Sequence, residues 1–86
     1  MYTLIIDCSG FALEHGVHIV DPAGNTIGLM HLPTSEVAGF IARERNVTGV
    51  KLSGPTEYCN GIKEEIEKAV ALDYANNIRK VEIEVI

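Results

Sequence analysis

Three strand-like runs precede the first helical segment of this chain, and that order limits the folds open to it. Residues 3–6, 17–20 and 26–32 are rich in β-branched and apolar side chains, as strands are. Residues 7–10 end the first run, and residues 21–25 combine Pro, Gly and Asn between the second and third. We therefore predict an antiparallel meander of three strands.

An amphipathic helix is predicted to follow the meander. Val37, Phe40 and Ile41 have the i, i+3, i+4 spacing of one buried stripe. Thr34 or Ser35 is expected to cap the helix at its start, because short hydroxyl side chains bond the first free N–H groups. Asn46 is expected to end the helix, and residues 47–53 then form a fourth strand.

The rest of the chain reads as a second helix and a fifth strand. Thr56 is the predicted cap of this helix, and the segment 74–77 is predicted to break it. Residues 81–85 alternate apolar and charged side chains, which indicates a strand with one wet face. The apolar stripe of the helix is expected to comprise Tyr58, Ile62, Ile66, Ala69 and Val70.

The predicted order, β-β-β-α-β-α-β, is that of a single α/β domain over residues 1–86. Two right-handed crossovers would place strand four beside strand one and strand five beside strand four. The mixed five-stranded sheet would then have the order 3-2-1-4-5, with both helices on one face. A rearranged ferredoxin-like α+β sandwich is the alternative.

Charge and cysteine content narrow the classes of function. The formal net charge is −5, from 12 acidic and 7 basic residues, and the basic residues are scattered along the chain. Because nucleic-acid binders concentrate Lys and Arg on one face, this pattern disfavours nucleic acid and favours a protein or small-molecule partner. No apolar run approaches the roughly 18–20 residues of a membrane span.

The two cysteines, Cys8 and Cys59, are expected at the end of a strand and in the first turn of a helix. The sequence shows no signal peptide, so we expect free thiols in a reducing compartment, the cytoplasm.

The opening hairpin carries a resemblance to a known superfamily. Residues 4–9 and 16–21, followed by Gly24, resemble the hairpin of Holliday-junction resolvases and actin-like ATPases, members of the ribonuclease-H-like superfamily. The matching motif is Asp7, Ser9, Gly16 and Gly24, and the predicted topology is similar over the whole chain. In general character the sequence is also similar to small phage or mobile-element proteins.

This resemblance implies that Asp7 would bind Mg²⁺ or Mn²⁺. Nucleases of the superfamily hold two metal ions with three or four carboxylates. Here strand four ends in residues 51–54 without an acid, and Glu57 is the one further candidate nearby. The family's last acid lies on a helix after strand five, which these 86 residues do not include. We therefore expect no autonomous nuclease, and a nuclease completed by a partner is an alternative.

The remaining candidate residues are a possible ligand site at the strand ends, three histidines and the two cysteines. The carboxyl ends of strands one and four could bind a small ligand or an anion through Ser9, Gly54 and Thr56, since open α/β sheets bind ligands there. The three histidines, His15, His18 and His31, are expected to be ordinary surface or half-buried residues. Both cysteines are expected to be small buried residues.

The sheet face away from the helices is the most informative prediction for function. With both helices on one side, the other side would carry a mixed apolar and polar surface, which suits a protein contact. We therefore predict a non-enzymatic interaction module that binds a second copy of itself or another protein. The predicted interface consists of Thr3, Ile5, His18, Val20 and Lys51, with Glu82 and Glu84 near strand five.

Overall fold

A computed structural model describes residues 1–8, 14–77 and 80–86, with the backbone alone described for residues 72–77. It contains five strands and two helices in the predicted order. None of its helices is both long and apolar enough to cross a membrane, as far as the described residues extend. The elements are β1 (Tyr2–Asp7), β2 (Glu14–Val20), β3 (Thr26–Pro33), α1 (Thr34–Arg43), β4 (Val47–Ser53), α2 (Thr56–Asn77) and β5 (Glu82–Val85).

The five strands form one mixed sheet in the order β3-β2-β1-β4-β5, which confirms the predicted α/β layout. The meander β1–β2–β3 is antiparallel, whereas β4 is parallel to both β1 and β5. β1 is therefore the central strand, and its end at Asp7 pairs with Gly16 on one side and Ser53 on the other.

Strand alternation decides which side chains enter the core. Leu4 and Ile6 of β1 are fully buried, and the register aligns them with Val17 of β2 and with Val50 and Leu52 of β4. The helices cover this face with Val37 and Ile41 from α1 and with Cys59, Ile62, Ile66 and Val70 from α2. The opposite face has no helix against it among the described residues, and we refer to it as the open face.

The start of α1 differs from the prediction. Pro33 occupies the N-cap position, and no side chain makes a capping hydrogen bond, so capping by Thr34 or Ser35 is wrong. Pro33 supplies an extended backbone, and the hydroxyl of Thr34 bonds elsewhere. The helix ends at Arg43, three residues before the predicted end at Asn46.

The predicted break in α2 is also wrong, because the helix continues to Asn77. Residues 62–77 contain neither Gly nor Pro, so nothing in their backbone chemistry ends the helix. The apolar stripe is shifted by one position at its start: Cys59 is buried, whereas Tyr58 is 40% exposed.

Candidate functional site

The polar candidates gather where several elements meet at one end of the sheet. β1 and β4 are parallel, so their carboxyl ends coincide, and antiparallel β2 begins at the same end. Glu14 at the start of β2 pairs with Pro33 at the end of β3, which places the start of α1 there as well. α2 begins three residues after β4 ends. First-turn residues of both helices are thereby brought close to the start of β2.

His15 is the centre of a polar cluster at this end. Its side chain is only 1% exposed. Its Nε2 lies 2.9 Å from Thr34 Oγ1 and 3.1 Å from the Tyr58 hydroxyl, and the two hydroxyl oxygens are 3.5 Å apart. The Tyr58 ring meets the imidazole edge-on, with ring centroids 5.7 Å apart. These three residues are the His15 cluster.

The His15 cluster joins β2 to the first turns of both helices. Nε2 can accept a hydrogen bond from a neighbouring hydroxyl or donate one to it, depending on the tautomer, so this buried nitrogen has polar partners in either form. The partners that the structure gives to Nε2 are the hydroxyls of Thr34 and Tyr58. The described residues contain no group of three or more His, Cys, Asp or Glu side chains that could hold a metal ion.

The expectation of ordinary surface or half-buried histidines is wrong for His15 and agrees with the exposed His18 and His31. β2 begins at Glu14, three residues before the predicted start. With that extension, His15 falls in phase with buried Val17, because alternate strand residues share a face. The signal was present in the sequence as the spacing of His15 and Val17.

Beneath the sheet end, the two cysteines are buried side by side. Both are fully buried and free, and the Cys8 Sγ lies 3.8 Å from the Ile6 carbonyl oxygen. Burial, and then the neighbouring Cys59 thiol, raise the pKa of the Cys8 thiol from its ordinary 9.0 to about 12. Because the thiolate is the nucleophile, a thiol with this pKa stays protonated and inert near neutral pH.

The raised pKa of Cys8 predicts a loss of stability in alkali. The folded protein holds this proton more tightly than the unfolded chain, so its contribution is complete below pH 9 and is lost as the pH rises toward about 12. We expect the free energy of unfolding to fall there by up to about 1.4 kcal/mol per pH unit. Urea unfolding of Cys8→Ala should show a shallower decline, and an unchanged slope would contradict this assignment.

The two predicted metal ligands lie on different sides of the sheet. Asp7 is exposed and belongs to the open face, in register with Ser53. Glu57 is exposed in the first turn of α2, which packs against the other face. The structure therefore gives these carboxylates no common face, and the Mg²⁺ or Mn²⁺ site stays a prediction without a supporting contact.

The predicted ligand-binding residues lie around the β4–α2 connection. Ser9 is outside the described residues. Gly54 has φ of +146°, which only glycine adopts readily, and Thr56 is the exposed first residue of α2. The Cys59 N–H donates to the Pro55 carbonyl at 2.9 Å, as in an ordinary first helical turn. This geometry is that of a strand-to-helix turn.

Two glycine-to-alanine substitutions should change the free energy of unfolding in opposite directions, one in this turn and one within α2. Gly54→Ala should lower the free energy of unfolding by about 1–3 kcal/mol, because a Cβ strains this backbone conformation. Gly61→Ala should raise it by about 0.5–1 kcal/mol, since Gly61 lies within α2 and an added Cβ meets nothing within 4 Å. Thermal unfolding of both variants is the measurement, and equal effects would contradict it.

The predicted interface residues do share the open face. Ile5 is flanked by His18 of β2 and Lys51 of β4, and Thr3 by Val20 of β2. Leu29 of β3 lies opposite His18 and extends this row to the sheet edge. Toward the β5 edge, the open face becomes charged. Glu84 of β5 pairs with Lys51 of β4, and Glu82 pairs with Gly49.

Sequence reasoning missed two exposed apolar residues on β3. Leu29 is 61% exposed and Ile27 is 53% exposed. Both the odd-numbered and the even-numbered residues of this strand include apolar side chains, since Met30 and Leu32 are apolar too and pack against the core. The alternation rule therefore could not tell which face of β3 would be wet.

No protein-family model matches the chain, and no curated protein matches it. The relationship to the ribonuclease-H-like superfamily therefore stays a prediction. The strand order is the feature that the structure has in common with the expected fold.

Proposed function

We propose that this chain is a non-catalytic interaction module that binds a second copy of itself through the β3 side of its sheet. The observation that carries the proposal is the segregation of the open face. Across the middle of the sheet, its apolar side chains Ile5, Val20 and Leu29 lie on β1, β2 and β3, whereas Lys51 and the glutamates of β5 lie on β4 and β5. The charges that β1 and β2 add to this face, Asp7 and Glu14, lie at the sheet end, where β1 ends and β2 begins. Apolar patches bordered by charge are typical of protein contacts.

The arrangement of charge favours a second copy as the partner. The chain carries a net charge of −5, so two copies repel unless their acidic parts stay apart. β3 contains no charged residue, while Glu82 and Glu84 lie on the opposite edge strand. A contact through β3 brings two uncharged surfaces together and keeps the acidic edges outside.

The groups that could carry chemistry have other roles in the described structure. His15 is buried and bonded to two hydroxyls, and Cys8 is protonated near neutral pH. Asp7 and Glu57 lie on opposite sides of the sheet. These features support a module without catalysis. The two free thiols suit a reducing compartment, and we place the module in the cytoplasm.

Light-scattering mass across a concentration series tests self-association. We expect a mass near twice 9.4 kDa at high micromolar concentration, and a shift toward 9.4 kDa on dilution. Leu29→Lys should weaken the dimer about tenfold or more, because it puts a charge into an apolar contact.

Asn60→Lys is the matched control, since it adds the same charge at an exposed position of α2. It should leave the mass unchanged. A wild-type protein that stays at 9.4 kDa at every concentration would overturn the proposal. Equal weakening by both variants would show that the contact does not depend specifically on the β3 surface.

A further inference from the structure

We propose that the two copies pair edge to edge, with β3 of one chain antiparallel to β3 of the other, in one continuous sheet. This inference rests on the self-association proposed above and specifies its geometry. Strand pairing along an exposed edge is an established mode of protein recognition, in which backbone hydrogen bonds supply much of the contact.

The two edges of the sheet differ in how they resist such pairing. Soluble proteins protect exposed edge strands with charges, prolines, bulges or short length. β5 is four residues long and carries Glu82 and Glu84, so two copies of this edge repel each other. β3 is eight residues long and has no charge. Its outer edge has no strand partner among the described residues.

Two features of β3 limit the segment that can pair. The register with β2 shifts between Ile19 and Val20, which pair with Gly28 and Thr26, so Ile27 lies in a bulge. At the other end, Pro33 lacks a backbone N–H. The regular stretch between them is 28–32, with the sequence Gly-Leu-Met-His-Leu.

This stretch is compatible with itself when two copies run antiparallel about Met30. Met30 then meets Met30 of the second copy on the helix side, where Gly28 meets Leu32 and leaves room for the larger side chain. On the open face, Leu29 meets His31, and both are exposed in the single chain. None of these cross-strand pairs opposes two like charges, which would destabilise a ladder.

Edge pairing also fits the charge distribution better than stacking of the open faces. Face-to-face stacking brings Lys51, Glu82 and Glu84 into or beside the contact, where ionised groups lose solvation. In the edge-paired dimer the two β5 strands lie at opposite ends of a ten-stranded sheet. At about 4.8 Å per strand they are separated by roughly 40 Å, far beyond the screening length.

Cysteine cross-linking separates these geometries. In the antiparallel register, residues at position 30 of the two chains have Cα atoms about 4.5–5.5 Å apart, within the range for a disulfide. Met30→Cys should therefore form a covalent dimer under mild oxidation. His18→Cys, on the open face of β2, should not, because it lies one strand away from the seam. Cys8 and Cys59 are buried and give little background.

Amide hydrogen exchange on the unmodified protein gives a second measurement. In a single sheet, alternate N–H groups of β3 face β2 and the others face solvent. Concentrating the protein should slow exchange of the solvent-facing set within 28–32, at least tenfold, and leave β5 unchanged.

The outcomes distinguish the two proposals. A dimer whose β3 amides stay fast and whose His18→Cys variant cross-links would overturn edge pairing and leave self-association intact. A protein that remains monomeric would overturn both. Protection of β3 that requires an added peptide or another protein, with no dimer, would also overturn the second copy as the partner.

Discussion

Replacing His15 with alanine should lower the free energy of unfolding by about 3 kcal/mol, because it removes a fully buried side chain and leaves a cavity. The substitution also removes the acceptor or donor shared by Thr34 and Tyr58. Both hydroxyl groups belong to partly exposed residues and can turn to water, so most of the loss comes from packing. Urea unfolding at neutral pH is the measurement.

His18→Ala is the matched control for this prediction. It lies on the same strand, three residues along, and its side chain is exposed on the open face. We expect a change within about 0.5 kcal/mol. If the two alanine variants had similar stability, the His15 cluster would contribute little to the fold.

A double-mutant cycle can isolate the hydrogen bond within the cluster. Tyr58→Phe alone should cost about 1 kcal/mol, because only the hydroxyl is lost. In the His15→Ala background the same change should cost less, since the hydroxyl has already lost its ring partner. Additive effects would mean that the 3.1 Å contact carries no net stability.

The order of elements could be predicted because it depends on local signals. Alternation of Val81, Ile83 and Val85 with charged residues marked β5, and the Asp21 turn marked the β2–β3 hairpin. In the structure, Asp21 Oδ1 accepts from the N–H groups of Ala23 and Asn25, which is the local bonding that such a turn signal reflects. The handedness of crossovers then left few sheet orders.

The His15 cluster could not be predicted from local signals. Its members are separated by 19 residues between His15 and Thr34, and by 43 residues between His15 and Tyr58. Thr34 looks like a helix cap, and Tyr58 looks like part of an apolar stripe. The bonds depend on where β2, α1 and α2 begin relative to one another, which the three-dimensional packing decides.

Most residues of the open face could be predicted from the sequence, but the exposed apolar residues that β3 adds to the sheet could not. Strand alternation correctly grouped Ile5, His18 and Lys51. The exposed residues of β3 were not identified, because alternation cannot assign a face to a strand that is apolar on both sides. Of the two exposed residues, Leu29 lies in the 28–32 stretch proposed to pair, whereas Ile27 lies in the bulge beside it.

Two adjacent isoleucines of the central strand should respond very differently to the same substitution. Ile6 is fully buried against the helices, and Ile6→Ala should cost about 3–4 kcal/mol through lost burial and a residual cavity. Ile5 points to the open face and is only half-buried. Ile5→Ala should cost less than about 1 kcal/mol in the monomer. Thermal unfolding at low protein concentration is the comparison.

The Ile5→Ala variant can also show which surface forms the contact between two copies. A dimer raises the apparent melting temperature as concentration increases, by mass action. In the edge-paired geometry, Ile5 lies two strands from the β3 seam, about 10 Å away, so Ile5→Ala should keep the concentration dependence of the wild type. If the open faces stack instead, Ile5 is at the centre of the contact and the dependence should disappear. A wild-type response from Ile5→Ala, together with its loss in Leu29→Lys, would therefore assign the contact to the edge strand.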